Sequence, residues 1–310
     1  LEKALGDEDV TVRVEALRAL RAALGAITLH LGPAGAITVA VVLEKALGDE
    51  DVTVREEAVR ALRDVVFTTH YEFRDMLDAG AKLVAEALAK ALGDEDVTVR
   101  VEAVRASRVI VENLLHGLRG AKAPRTVVEE ALAKAVGDND VAVRVVALTA
   151  LTDVFDYVYP LELGLAGAMT VFLMLEKALG DEDVTVREEA VRALRDVVFT
   201  THYDMLDAGA ELVAEALAKA LGDEDVTVRV EAVRASRVIV ENLLHGLRGA
   251  KAPRTVVEEA LAKAVGDNDV AVRVVALTAL TDVFDYVYPL ELGLAGAMTV
   301  FLMLEKALGD

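Results

Sequence analysis

The sequence predicts an all-α chain, a superhelical stack (solenoid) of helical repeats. Three observations carry that prediction. An eight-residue phrase recurs along the whole chain at a near-constant step. Apolar residues return at helical spacing after each copy of the phrase. Only five prolines interrupt 310 residues, so long helices are permitted.

The phrase GDEDVTVR begins at Gly6, Gly48, Gly93, Gly180 and Gly222, and a variant, GDNDVAVR, begins at Gly137 and Gly266. Successive copies are 42–45 residues apart, and a last Gly-Asp stands at Gly309, 43 residues further on. Seven repeats of 42–45 residues follow, stacked so that each unit contacts its neighbours. A second period lies over the first. Leu43–Met174 returns as Leu175–Met303 with one substitution, Lys82 to Glu211, and one gap, the loss of Glu72, Phe73 and Arg74. Long drift does not leave exposed positions identical, so the duplication is either recent or engineered. The predicted organisation is a single α-solenoid domain over 1–310. It comprises a first repeat at 1–42, a three-repeat module at 43–174, its near-identical copy at 175–303, and the start of a further repeat at 304–310. The gap is expected in the connection after a long helix. Inside a helix, three residues would rotate the apolar stripe by most of a turn.

Within the unit starting at Gly48, Asp51 is placed to cap the N-terminus of a helix, where its oxygen accepts a free backbone N–H and its charge suits the dipole. The following VTVREEAVRALRDVV puts Val52, Val59, Leu62 and Val66 on one stripe. FTTHYEFRDMLDAGA reads as irregular, and AKLVAEALAKAL as an amphipathic helix stopped by a C-capping Gly93. The predicted unit is thus a short helical turn, a medium helix and a longer helix.

At DMLDAGAKLVAEALAKALGDEDVTVRVEAVRAS the chain resembles the armadillo repeat, and its D-x-x-VR step is equally similar to the HEAT repeat. AGA recurs at Ala34, Ala79, Ala166, Ala208 and Ala295, whereas the unit near Ala121 has AKAPRTVVEE instead. The resemblance covers essentially the whole chain and implies a non-enzymatic scaffold for protein partners. It also implies where a peptide would be pinned, at an Asn on the long helix. Those positions here hold Ala22, Asp64, Val109, Asp153, Asp196, Val238 and Asp282, none of them Asn. The usual Trp position holds Arg18, Arg60, Arg105, Thr149, Arg192, Arg234 and Thr278. The peptide ladder is therefore not carried over, because an ionised Asp accepts hydrogen bonds and cannot donate them. Asp64, Asp153, Asp196 and Asp282 are the candidate groove residues, favouring basic segments of a partner. The alternative is that Arg63, Arg195 and other arginines pair with them.

Charge and composition narrow the function further. A net charge of −20 repels nucleic-acid phosphates and anionic lipid, so neither is an expected partner. LEKALGDEDV lacks the apolar core of a signal peptide, and the apolar stretch Val154–Leu175 carries Asp156, Pro160 and Glu162 and reads as two helices broken by a turn. With no cysteine, an intracellular, cytoplasmic location is expected. His30, His70, His116, His202 and His245 have no second ligand at zinc spacing, and the acidic turn fails as a calcium loop because Val54 and Arg60 occupy its sixth and twelfth positions. No cofactor, metal or catalytic constellation is expected.

Two further features are candidates for binding. The loop residues Arg119, Lys122 and Arg125, with their copies Arg248, Lys251 and Arg254, depart from the acidic background and suit an acidic segment or anion. The aromatic segment with Phe155, Tyr157, Tyr159 and Phe172 is expected to be inter-repeat core. The arginines Arg13, Arg55, Arg100, Arg144, Arg187, Arg229 and Arg273 are expected to form exposed pairs with the acidic turn of the next repeat. Because LEKALGD stands at both Leu1 and Leu304, the alternative function is a building block that joins head to tail or closes into a ring through its end repeats.

Overall fold

The computed structural model describes residues 2–27, 33–68, 74–117, 131–157, 160–200, 203–246, 261, 263–286 and 305. The chain forms two compact units, Leu1–Tyr157 and Val158–Asp310. Among the described residues the regular structure is all α-helix.

The first unit holds α1 (Glu2–Leu5), α2 (Val10–Ile27), α3 (Pro33–Ala46), α4 (Val52–Thr68), α5 (Arg74–Ala91), α6 (Val97–Gly117) and α7 (Val141–Tyr157). Residues 131–135 are helical as well. The long helices α2, α4, α6 and α7 pack side by side in one layer, and α3 and α5 pack together in a second layer against them. The second unit repeats the plan with α8 (Pro160–Ala178), α9 (Val184–Thr200), α10 (Tyr203–Leu221), α11 (Val226–Gly246) and α12 (Val270–Tyr286). There α9, α11 and α12 form the long-helix layer, with α8 and α10 beside each other across it.

The repeat period fixes the core. The leucine five residues before the motif glycine is fully buried at Leu43, Leu88, Leu132, Leu175 and Leu217. In the long helices the alanine at one fixed position, Ala58, Ala103, Ala147, Ala190, Ala232 and Ala276, is fully buried too. A side chain this small at every helix contact lets neighbouring axes approach closely. Ser107 and Ser236 stand where other repeats place Leu62 and Leu194. Both are fully buried, and each hydroxyl donates to the carbonyl four residues earlier, Ala103 at 2.8 Å and Ala232 at 2.7 Å.

Two expectations change and a third holds. The stretch 67–81 is not an irregular segment: α4 runs to Thr68 and α5 starts at Arg74, so Gly80 of the AGA lies inside a helix. Glycine costs a helix only about 1 kcal/mol relative to alanine, which the rest of an 18-residue helix outweighs. Among the described residues the repeat is a pair of helices, as in α4 with α5 and α9 with α10. Of the three residues lost in the second module, Arg74 opens α5, and Glu72 and Phe73 lie outside the described residues. Nor do the turn glycines act as left-handed caps. Gly93 keeps an ordinary backbone and donates its N–H to Lys90 O at 3.0 Å, with Asp94 N–H donating to Ala91 O at 3.2 Å. A Cβ would meet the carbonyl three residues back, at 3.3 Å for Gly48. Lastly, Val154–Leu175 resolves into the end of α7 and most of α8, and no described helix is long and apolar enough to cross a membrane.

Replacing Ala103 with Leu should force α6 away from its neighbours and destabilise the protein by about 1–3 kcal/mol in urea denaturation. Unchanged stability would mean that the alanine does not set the helix spacing.

Candidate functional site

The first chemical feature is the turn that joins each helix pair. In GDED the first Asp accepts the N–H of the second, as Asp94 does from Asp96 at 2.9 Å. The second Asp caps the long helix: Asp96 accepts the Thr98 N–H at 2.8 Å and the Thr98 hydroxyl at 2.5 Å. These bonds, the hydroxyl first and the amide second, hold the Asp96 carboxyl below its ordinary value, and the same arrangement lowers Asp9 and Asp225.

The arginine of the phrase then ties two turns together. Its Nη1 donates to two carbonyls of its own turn; for Arg100 these are Asp94 O at 2.8 Å and Glu95 O at 3.1 Å. Its Nε and Nη2 fork onto the first Asp of the next turn. Arg55 meets Asp94 at 2.9 and 3.0 Å, and Arg100 meets Asp138 at 3.0 and 3.0 Å. The copies in the second unit match: Arg187 meets Asp223 at 2.8 and 3.0 Å, and Arg229 meets Asp267 at 2.8 and 3.0 Å. Arg13 pairs likewise with Asp49, both contacts at 2.9 Å. The pairing is the expected one, but its setting is not. These arginines are buried rather than exposed, which changes them from weak surface pairs to the bidentate links between repeats.

A second network runs over the long-helix layer. Glu57 accepts from Arg21 at 3.0 Å and Arg60 at 3.1 Å, with Arg18 at 3.5 Å. Burial pushes its carboxyl up, and the hydrogen bond and charge of Arg21, with Arg60, more than offset that, leaving it below its ordinary value. Arg60 also bonds Glu56 and reaches Glu102 at 3.6 Å. In the second unit Arg192 bonds Glu188 and Glu189 and lies 3.9 Å from Glu231. The sequence reading missed this network. Its signal was present in the Glu-x-x-Arg spacing of every repeat that carries it.

Of the predicted groove carboxylates, Asp64 sits between α2 and α4, accepting from Arg21 at 2.8 Å and Arg63 at 3.2 Å. Asp196 accepts from Arg195 at 2.8 Å. Asp153 and Asp282 occupy the corresponding positions of α7 and α12, and their side chains lie outside the described residues. So do Arg119, Lys122, Arg125, Arg248, Lys251 and Arg254. Among the described residues no group of His, Cys, Asp or Glu is arranged to hold a metal ion.

No protein-family model matches the sequence, and no curated protein matches it. Solved structures do. A chain of the structure describing how Kap95p binding switches RanGDP superposes with a TM-score of 0.65 at 14% identity, covering 99% of this chain and 37% of its own length. Importin beta crystallised in ammonium sulfate superposes at 0.62 and 13% identity, covering 92% of this chain and 40% of its own. A designed armadillo repeat protein in complex with the peptide (KR)4 superposes at 0.52 and 22% identity, over 77% of this chain and 97% of its own. The fold is that of the armadillo/HEAT α-solenoids. This chain spans well under half of the two nuclear-import structures.

Two outcomes follow for stability. Arg100→Ala strands Asp138 in a buried site and should cost about 3 kcal/mol, whereas Lys82→Ala, whose pair with Glu86 is exposed on both sides, should stay within about 1 kcal/mol. Equal losses in urea denaturation would contradict the distinction. Because the folded pKa of Asp96 is depressed, its contribution is complete above the unfolded value of 3.8 and is lost as pH falls through the lower folded value. The stability gap between the parent and Asp96→Ala, followed by circular dichroism, should therefore narrow as pH falls below 3.8. A gap independent of pH would rule out the charged cap.

Proposed function

We propose that this chain is a non-enzymatic scaffold that binds an extended segment of a protein partner along its long-helix layer. The observation that carries the reading is the periodicity of that layer. Adjacent helices present the same residue types, Glu57 and Arg60, then Glu102 and Arg105, at one fixed spacing. An extended chain laid across the helices would meet an equivalent polar group at each step. The fold supports this, since solenoids offer long continuous surfaces. The carboxylates expected to favour basic segments support that preference less, because Arg21 and Arg63 hold Asp64 and Arg195 holds Asp196. The segments around Arg119 and Arg248 belong to the same proposal as docking points for acidic groups.

Head-to-tail self-association is a second reading, favoured by a specific observation. In the first unit Val12 is 41% exposed, while its counterpart Val54 is fully buried. In the second, Val270 and Val274 are 62% and 56% exposed. Asp7 holds its turn as Asp49 does, accepting the Asp9 N–H at 3.0 Å, and meets no arginine among the described residues. Arg273 grips its own carbonyls at 2.7 and 3.1 Å, and Asp310, the carboxylate one period on, lies outside the described residues. The Asp7 edge of one copy would meet the exposed Val270 and Val274 edge of another.

Fluorescence anisotropy with unstructured peptides of acidic, neutral and basic composition tests the scaffold. Saturable, competable binding of one class is expected, and no binding by any class would refute it. Light scattering tests the second reading: mass should grow with concentration, and Asp7→Arg should abolish that growth. A mass independent of concentration would refute self-association.

A further inference from the structure

On the long-helix layer each arginine of the Glu-x-x-Arg pair uses its Nη1 edge on its own helix and turns its Nε toward the next repeat. Arg18 Nε lies 3.5 Å from Glu57, Arg60 Nε 3.6 Å from Glu102, and Arg192 Nε 3.9 Å from Glu231. The pattern stops at one repeat in each module. There α7 and α12 replace the receiving glutamate with Val146 and Val275, and the following arginine with Thr149 and Thr278. The two threonines spend their hydroxyls on their own helices, donating to Val145 O at 3.2 Å and Val274 O at 3.0 Å.

Arg105 and Arg234 stand one repeat before these helices. Each donates through Nη1 to one carboxylate oxygen, of Glu102 at 2.8 Å and of Glu231 at 2.5 Å. Their Nε and Nη2 groups meet no acceptor among the described residues. That edge is the one with which Arg55, Arg100, Arg187 and Arg229 grip a carboxylate in this same protein. Both arginine side chains are 56% exposed, while the glutamates beneath them are only 10% exposed. The buried glutamate fixes the guanidinium, and the outward edge is ready for a planar, two-oxygen acceptor.

We infer that Arg105 and Arg234 are carboxylate-recognition points, and that the partner segment is therefore acidic, placing an Asp or Glu side chain on the free Nε/Nη2 edge. This rests on the scaffold reading and names its partner class. The distributed charge of −20 opposes an acidic partner at long range. At about 0.15 M salt the Debye length is about 8 Å, so the local fork decides.

The experiment is an anisotropy titration of the full chain at that salt, with a Glu-rich and a Lys/Arg-rich peptide of equal length. The Glu-rich peptide should bind at least about tenfold more tightly, and R105Q/R234Q should weaken it about tenfold. A second variant, V146E/V275E, supplies the missing internal carboxylate and should weaken the same peptide to a similar degree. Circular dichroism confirms that each variant is folded. A parent that prefers the basic peptide, or a Glu-rich peptide whose affinity ignores both variants, overturns the inference while leaving the scaffold standing. Binding of neither peptide, nor of a neutral one, overturns the inference and the scaffold together.

Discussion

A buried guanidinium, recurring at Arg13, Arg55, Arg100, Arg187 and Arg229, ties neighbouring repeats together. The arginine of the phrase GDEDVTVR sits at the start of a long helix, with three polar groups around it: two carbonyls of its own turn and the carboxylate of the next. Because the turn is closed by those carbonyl bonds, the arginine reports on its own fold and on its neighbour's at once. A solenoid unit cannot bury its apolar face alone. The fully buried leucines and alanines supply the non-directional part of the contact. The forked pair supplies register, since a bidentate bond tolerates little sliding. A buried ion pair is weak evidence for net stability when compared with an apolar contact. Its role is specificity: it fixes which turn meets which helix.

The same chemistry occupies the acidic turns, although the glutamate carboxylate stays exposed, as at Glu95. The first Asp shapes the turn and receives the arginine, the second caps the helix, and the intervening glutamate's carbonyl takes Nη1. What remains for recognition is the long-helix layer, where charges pair across repeats but not at every step. The pairing lapses at Val146 and Val275, and the partner proposed above would engage the arginines one repeat before them.

Much of this was legible in the sequence, and the reasons are local. The repeat step gave the stacking, Asp51 announced a helix start, and the Arg-to-next-Asp pairing followed from identical residues one period apart. Burial of those arginines was not legible. It depends on how closely the turns of adjacent repeats approach, which no single repeat encodes. Helix α5 was misjudged because Gly80 and its flanking residues look like a break, although tertiary context outweighs a propensity difference of about 1 kcal/mol. The glutamate–arginine network on the long helices was hidden for a similar reason. Within one helix Glu57 and Arg60 look like an ordinary solvated pair; only the neighbouring helix makes them links in a chain.

The central claim is that the forked arginine couples neighbouring repeats. A double-mutant cycle at Arg55 and Asp94, measured by urea denaturation, tests it most directly. Arg55→Ala and Asp94→Ala each remove the pair, and the double variant shows what the two share. A coupling of about 2 kcal/mol is predicted, near the upper range for contacting residues. Additive losses, with a coupling below about 0.5 kcal/mol, would contradict the account and leave apolar packing as the sole source of register.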